Sequence, residues 1–253
     1  MTSDARRERL ELIAAEVAAG RGGVEELCSA LGVSVATVRR DLGVLAADGR
    51  VTRTYGGAVS AERRLRDKEG ANRGGKRAIA AYAASLVRPG DVLIIDAGTT
   101  TGGLAAHLRH VDGLTVVTNG VNTLSLLAEC DAVELVVLGG RLRHAGQAMA
   151  GPAAEAEVRR VAADRVFLGA DGLSGRGISC PTLEQASLKA AMAAQGREVY
   201  VLADHAKLGT EPFPYVAPLE RGYTLITDAD AGDGALAALT GAHVVRTPTE
   251  EAA

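Results

Sequence analysis

The sequence predicts an α/β protein of two domains: a small helical head ending in a β-hairpin, and a larger domain built on a parallel sheet. Three observations lead there. Along residues 76–253, strand-like and helix-like segments alternate. Several of the strand-like ones, Val-Leu-Ile-Ile at 92–95 and Leu-Val-Val-Leu at 135–138, are apolar without a break, as strands covered on both faces are. Residues 1–59 instead hold three short amphipathic helical patterns followed by a strand, a Gly-Gly turn and a second short strand. With 253 residues of 47% hydrophobic composition, each part has the length to build its own core.

In the head, Leu10, Ile13 and Val17 mark the inner face of a first helix, and residues 24–31 form a second in which Cys28 reads as a small core residue. Gly32-Val33 supplies a tight turn, and Ser34 can cap a third helix through its hydroxyl. On that helix Val35, Val38, Leu42 and Leu45 recur at three- and four-residue spacing as an apolar stripe, leaving Thr37, Arg39, Arg40 and Asp41 off it. Asp48-Gly49 ends the helix, residues 50–55 have strand composition, and Gly56-Gly57 lets the backbone return. These are the proportions of a helix-turn-helix with a two-stranded wing.

Charge distribution fits a head that meets a polyanion. The chain carries a net charge of -3, yet residues 1–77 hold 15 Lys+Arg against 11 Asp+Glu, net +4, and the remainder 13 against 20, net -7. Between Ser34 and Arg66 seven arginines (39, 40, 50, 53, 63, 64, 66) face three acids (Asp41, Asp48, Glu62), which favours a phosphate backbone locally. A surface helix with two arginines is common, so the spacing matters more than the charge. The motif Val-Ser-x-x-Thr-Val-Arg-Arg-Asp-Leu, a further Leu, and then Gly-Arg-Val-x-Arg-x-x-Gly-Gly-Ala resembles the N-terminal signature of DeoR-type winged-helix repressors from Arg6 to Val59. That resemblance implies contact with double-stranded operator DNA from Ser34, Val35, Thr37, Arg39 and Arg40, and from Arg53 on the wing.

Other classes are excluded by composition. No apolar run approaches the roughly 20 residues of a membrane span, and the charged start is followed by no signal-peptide segment, so a cytoplasmic location is expected. Cys28, Cys130 and Cys180 are far apart and unpaired in pattern, which indicates neither a disulfide framework nor a zinc site. No cofactor is implied. Residues 60–75 are charged, poor in apolar side chains and rich in glycine toward their end, marking a linker between a head at 1–59 and an α/β domain at 76–253.

Within that domain, helices are expected at 76–87, 100–109, 121–129, 153–162, 183–194 and 233–239, and strands at 91–96, 114–118, 133–138, 165–169, 198–203, 223–227 and 243–246. Ligands of parallel sheets bind beyond the carboxyl ends of the strands. There Asp96, Gly98, Thr99, Thr100 and Thr101 open a helix with hydroxyls and free N–H groups, which suits a phosphate, although a capping threonine would look similar. Asn119, the run Gly139, Gly140 and Arg141, and the pair Asp171 and Gly172 end three further strands. Asp204 and Lys207 end another, and with Lys189 this makes two of only four lysines in the chain (24 residues are arginine) fall near those loops, where an ammonium acts as a point charge toward phosphate.

Together, Asp-Ala-Gly-Thr-Thr-Thr, Thr-Asn-Gly, Leu-Gly-Gly-Arg, Gly-Ala-Asp-Gly, Glu-x-x-x-x-Lys and Asp-His-Ala-Lys-Leu-Gly are similar to the effector domain of the same family. The resemblance implies a fold like ribose-5-phosphate isomerase, a phosphorylated sugar effector, a homo-oligomer and repression of a carbohydrate-use operon. Ala206 and Cys180 depart from the family's usual Ser and Thr. The alternatives are a sugar-phosphate isomerase using Asp171 or Glu184 as base, or a catalytic Cys180 for which no partner base can be named.

Overall fold

The computed structural model describes residues 3–54, 56–60, 67–143 and 146–248. The chain forms two compact units, residues 1–70 with 143–146, and residues 71–142 with 147–253.

The first unit contains α1 (Ser3–Ala18), α2 (Val24–Leu31), α3 (Val35–Ala47), β1 (Val51–Thr54) and β2 (Gly57–Ser60). Ile13 and Val17, Val24 and Leu27, Val38, Leu42 and Leu45, with Val51 and Ala58, bury one core between the helices and the hairpin. Gly32 closes α2 in the left-handed conformation (φ 64°), and Ser34 Oγ accepts the N–H of Thr37 at 3.3 Å, so turn and cap are formed by the residues whose chemistry suits them. β1 and β2 pair antiparallel from Val51↔Ser60 to Thr54↔Gly57. The hairpin is stitched to the turn before α2 by Val24 N to Gly56 O and Ala58 N to Gly22 O, both 2.9 Å. Tyr55, at the end of the expected strand, and residues 61–66 of the expected linker lie outside the described residues.

Two residues of the α3 stripe behave differently from expectation. Val35, expected inside, is 44% exposed, because one turn ahead of Val38 the helix has already emerged from the core. Asp41, expected outside, is fully buried. Its position three residues after Val38 and four before Leu45 puts it on the inner face regardless of polarity, and Arg9 of α1 meets it at 2.6 Å, with Arg6 at 3.9 Å.

The second unit holds α4 (Arg73–Ser85), β3 (Val92–Ile95), α5 (Thr99–His107), β4 (Leu114–Thr118), α6 (Val121–Leu127), β5 (Val133–Val137), the hairpin β6 (Arg141–Arg143) and β7 (Ala148–Ala150), and α7 (Pro152–Val158). It continues through β8 (Ala163–Gly169), β9 (Leu173–Ser174), β10 (Gly177–Cys180), α8 (Leu183–Gln195), β11 (Gly196–Leu202), a 3-10 turn (His205–Lys207), β12 (Tyr215–Ala217), β13 (Tyr223–Thr227), α9 (Asp233–Ala237) and β14 (Ala242–Arg246). Seven parallel strands form the sheet in the order β14-β13-β11-β8-β3-β4-β5, while β12-β10-β9 make a small antiparallel sheet.

The unbroken apolar strands sort their residues by parity. Leu93, Ile95, Val116, Phe167, Tyr200, Leu202 and Ile226 enter the core that includes α4 and α5, and Ile94, Val117, Val166, Leu168, Val201 and Leu225 enter the one that includes α7 and α8. β5 departs from the expectation of full cover. It is the sheet's edge, and Val136 and Val137 are both exposed. α4 begins three residues before its expected start, and residues 67–70 are helical, so structure extends into the glycine-rich stretch assigned to a linker.

Replacing Asp41 by Ala removes the anion under α3 and leaves Arg9 against an apolar core. Loss of one partner of a buried pair costs about 3–5 kcal/mol; the lower figure is expected, because the 13%-exposed Arg9 side chain can swing toward solvent. Urea unfolding followed by circular dichroism should show the head losing about 3 kcal/mol while the second unit is unchanged.

Candidate nucleic-acid interface and effector site

On the head, Ser34, Val35, Arg39, Arg40 and Arg53 are exposed and Thr37 is half-buried. The Ser34 and Thr37 hydroxyls bond each other at 3.0 Å as part of the cap. The arginines divide by partner. Arg50 is tied bidentately to Glu11 (2.7 and 2.8 Å) and Arg9 is committed to Asp41, so they are less available to DNA than their charge suggests. Arg39, Arg40 and Arg53 make no ion pair with a described carboxylate, while Arg63, Arg64 and Arg66 lie outside the described residues. The guanidiniums left open on α3 and β1 are those the helix-turn-helix pattern singles out.

In the larger unit, the chain runs outward from β3 through β4 to β5, then returns to the other side of β3 and runs through β8, β11 and β13 to β14. The strand order therefore reverses between β3 and β8, where loops leave in opposite directions and open a crevice. Asp96, following β3, is almost fully buried there. Its Oδ2 accepts the N–H of Gly169 (3.1 Å), at the end of β8, and the ammonium of Lys189 from α8. Lys189 also donates to the Gly169 carbonyl at 2.7 Å. Burial alone pushes the Lys189 ammonium down, but Asp96, with Asp171 behind it, more than reverses this and holds it above its usual value. Cys180, on β10 beside this pair, is fully buried, and burial pushes its thiol up to about 11 despite Lys189. A protonated thiol is a poor nucleophile, which removes the catalytic-cysteine alternative.

Several expected effector residues are occupied by the scaffold. Asn119 accepts the Ala97 N–H (2.9 Å) and donates to the Met149 carbonyl (3.0 Å), joining the loop after β3 to the β6–β7 hairpin. The Gly139 N–H goes to Glu157 (2.7 Å), and a Cβ on Gly140 would lie 2.6 Å from the Ala150 carbonyl. This segment, with exposed Arg141, ends the edge strand, two strands from β3. Gly172 is bare because Pro212 and Thr210 come within 2.4–2.5 Å of where its Cβ would be. Asp204 caps the 3-10 turn through the Ala206 N–H (3.2 Å). Gly98 is the extended residue before α5, its carbonyl accepting Thr101 Oγ1 (3.2 Å) and Asn122 Nδ2 (2.5 Å).

Other donors stay open. The Thr99 and Thr100 hydroxyls, in the first turn of α5, and the Lys207 ammonium meet no described acceptor, and the first N–H groups of a helix have none within it. Glu184 is exposed on the first turn of α8.

Motif reading did not identify a second cluster, one strand beyond β11. His205 Nδ1 lies 3.0 and 3.1 Å from the Asp228 carboxylate oxygens and 4.0 Å from Asp230, and Asn72 Nδ2 donates to Asp228. His205, Asp228 and Asp230 are donors of the kind that hold a divalent ion, all within 4.8 Å of one another, but His205 and Asp228 pair as an imidazole and a carboxylate do. Asn122, whose buried Oδ1 has no partner, was missed too. Its spacing after Asn119 was the available signal.

A winged head with open arginines on its third helix, joined to an α/β unit with open donors at its switch point, defines a ligand-sensing DNA-binding regulator. The chain belongs to the DeoR family: residues 9–64 match the model of the DeoR-like helix-turn-helix domain and residues 71–229 that of the DeoR C terminal sensor domain. It is 34% identical to the transcriptional repressor GlcR of Bacillus subtilis over 81% of each chain. It is 37% identical to the transcriptional regulator GlpR of Haloferax volcanii over 81% of this chain and 82% of that one, and 33% identical to the transcriptional repressor AccR of Agrobacterium fabrum over 78% and 79%. Solved structures that resemble it include ribose 5-phosphate isomerase A from Neisseria gonorrhoeae (19% identity, 52% of each chain, TM-score 0.38) and eIF2B delta from Chaetomium thermophilum (18%, 53% and 48%, TM-score 0.40). The matched domains and relatives are regulatory; the chain is a transcriptional regulator and not an enzyme. No described helix is long and apolar enough to cross a membrane.

The hydrogen bond that the His205 ring donates to Asp228 raises the His205 pKa above its usual 6.5, burial opposing. A raised folded-state value means the imidazolium's contribution to stability is fully present below about 6.5 and is lost as pH rises through the folded value. Thermal unfolding of the sensor unit should show stability declining above that point, and His205→Gln should flatten the decline. An unchanged profile in the variant would remove this pair as its cause.

Proposed function

We propose that the chain is a cytoplasmic, homo-oligomeric repressor of a carbohydrate-use operon, with a head at 1–59, a linker at 60–75 and a sensor at 76–253, whose operator affinity is set by a phosphorylated sugar. The observation that carries this reading is the division of groups at the carboxyl ends of the strands: Asp96, Asn119 and Lys189 are consumed by the scaffold, whereas Thr99 and Thr100 after β3 and Lys207 after β11 are left as donors. Hydroxyls, helix N–H groups and one ammonium suit a phosphate. In this reading Asp171, whose charge is felt at Lys189, accepts from the sugar hydroxyls. Gly98 and Gly172 shape the backbone around them, while Asp204, Gly139, Gly140 and Arg141 serve the loops on either side. On the head, Arg39 and Arg40 project about 100° apart, so they divide base and phosphate contact between them, with Ser34, Val35, Thr37 and Arg53 alongside.

The test is operator affinity by fluorescence anisotropy with and without a panel of sugar phosphates. One of them should change the affinity by 5- to 150-fold, and operator should change that sugar's affinity by the same factor. Thr100→Glu puts an anion where the phosphate goes and should abolish the response while leaving operator binding intact. Lys207→Ala should weaken the sugar by about 1.5–3 kcal/mol, the worth of a hydrogen bond to a charged group. Lys189→Ala is a poor test, since it strands the buried Asp96 and unfolds the site.

On the DNA side, Arg39→Ala or Arg40→Ala should cost about 1–3 kcal/mol and relax preference at one operator position. Wild-type affinity and preference in both variants would remove α3 from the groove.

A further inference from the structure

Asn72 is the second residue of the sensor unit, which the chain enters at Ala71. It begins α4 from a left-handed conformation (φ 45°, ψ 50°), which asparagine adopts more readily than other residues with a side chain but which it is not bound to keep. An asparagine there ordinarily accepts an N–H of the first helical turn. This one makes no such cap, and its Nδ2 donates to Asp228, just beyond β13. Asp228 is 4% exposed and also accepts the backbone N–H of His205 at 3.2 Å and the His205 ring. One buried carboxylate is thus shared between the first turn of α4 and the turn that carries Lys207. Local sequence is fitted to this sharing: a Cβ on Gly75 would lie 2.4 Å from Asp228 Oδ2 and 2.7 Å from Asn72 Nδ2. The glycine that reads as linker flexibility is the space the carboxylate needs. Lys76 Nζ, one turn on, donates to the Ala71 carbonyl at 2.7 Å and fastens the point of entry.

We infer that Asn72 and Asp228 are positioning residues that carry effector occupancy from the Lys207 turn to the start of α4, where the chain arrives from the DNA-binding head. The inference rests on Lys207 being a phosphate contact. A phosphate that draws Lys207 shifts the His205–Lys207 turn, and His205 takes Asp228 with it. The contact with that carboxylate is what fixes the Asn72 amide, so the first turn of α4 has two arrangements, held and released. A ligand shifts such an equilibrium when it favours one of them.

The decisive variant is Asn72→Gly. Glycine adopts the left-handed conformation without penalty and leaves the fold intact, but has no amide to offer Asp228. Hydrogen exchange of the full chain, with and without saturating inorganic phosphate, reads three segments: 96–101, 204–209 and 73–78. In the wild type phosphate should slow exchange in the first two and change it in 73–78 by about fivefold or more, the lower end of typical coupling. In Asn72→Gly the first two responses should persist and the third disappear, and Gly75→Ala, which displaces Asp228, should do the same. A variant that keeps all three responses, or a wild type in which the two loops respond and 73–78 does not, overturns the relay alone. A wild type with no response in 96–101 and 204–209 overturns the phosphate reading beneath it.

Discussion

Every element of the sensor crevice is positioned by the buried contact of Asp96 with Lys189 and Gly169. Where the strand order reverses, the loops after β3 and β8 leave in opposite directions, and the paired register ends at Ile95↔Phe167, with one further backbone bond from Asp96 N–H to the Phe167 carbonyl (3.0 Å). Beyond it Asp96 and Lys189 supply the hold, the carboxylate from one strand and the ammonium from the helix behind the other, with both backbone groups of Gly169 drawn in. A buried pair of this kind contributes little net stability compared with an apolar replacement, because desolvation offsets attraction. Its effect is positional. With Asp96 fixed, Ala97 meets Asn119, Gly98 meets Thr101 and Asn122, and the first turn of α5 is aimed at the crevice.

The head uses the same device. Asp41 lies beneath α3 and is held by Arg9 from α1, which sets the rotation of the recognition helix against the rest of its core. Arg50 is bound to Glu11 on the same helix. Carboxylates thus take up the arginines that build the head and leave Arg39, Arg40 and Arg53 open, so a head of modest net charge still presents a basic surface.

The helices and strands of both units were legible because their periods are strong. The alternation of long apolar strands with amphipathic helices led to a parallel sheet, and Ser34, Gly32 and Asp48-Gly49 marked α3 by their capping chemistry. What was not legible depends on long-range pairing. Asp41 stood at an inner position by spacing and was assigned outward by its charge, because its partner lies 32 residues away. β5 looked like a covered strand, since composition cannot tell the last strand of a sheet from a middle one. The three short strands β9, β10 and β12 carry too few residues to show a period. At the site, the motifs located the right loops but not the division of labour within them. Asn119 and Thr100 look equally suited to a ligand in sequence; one has both polar ends bonded to the scaffold and the other has an open hydroxyl.

That division also explains how a site at the switch point of a parallel sheet can sense without reacting. Proton transfer needs a base that is poised and unoccupied. The carboxylate best placed for it, Asp96, is neutralised by Lys189, and the nearby thiol of Cys180 stays protonated with a pKa of about 11. Thr99, Thr100 and Lys207 are donors, and donors bind an anion without giving it a route to product. A sensor gains from this, because a ligand that survives its encounter can report its concentration by equilibrium alone, and its binding free energy is free to favour one arrangement of the protein over another.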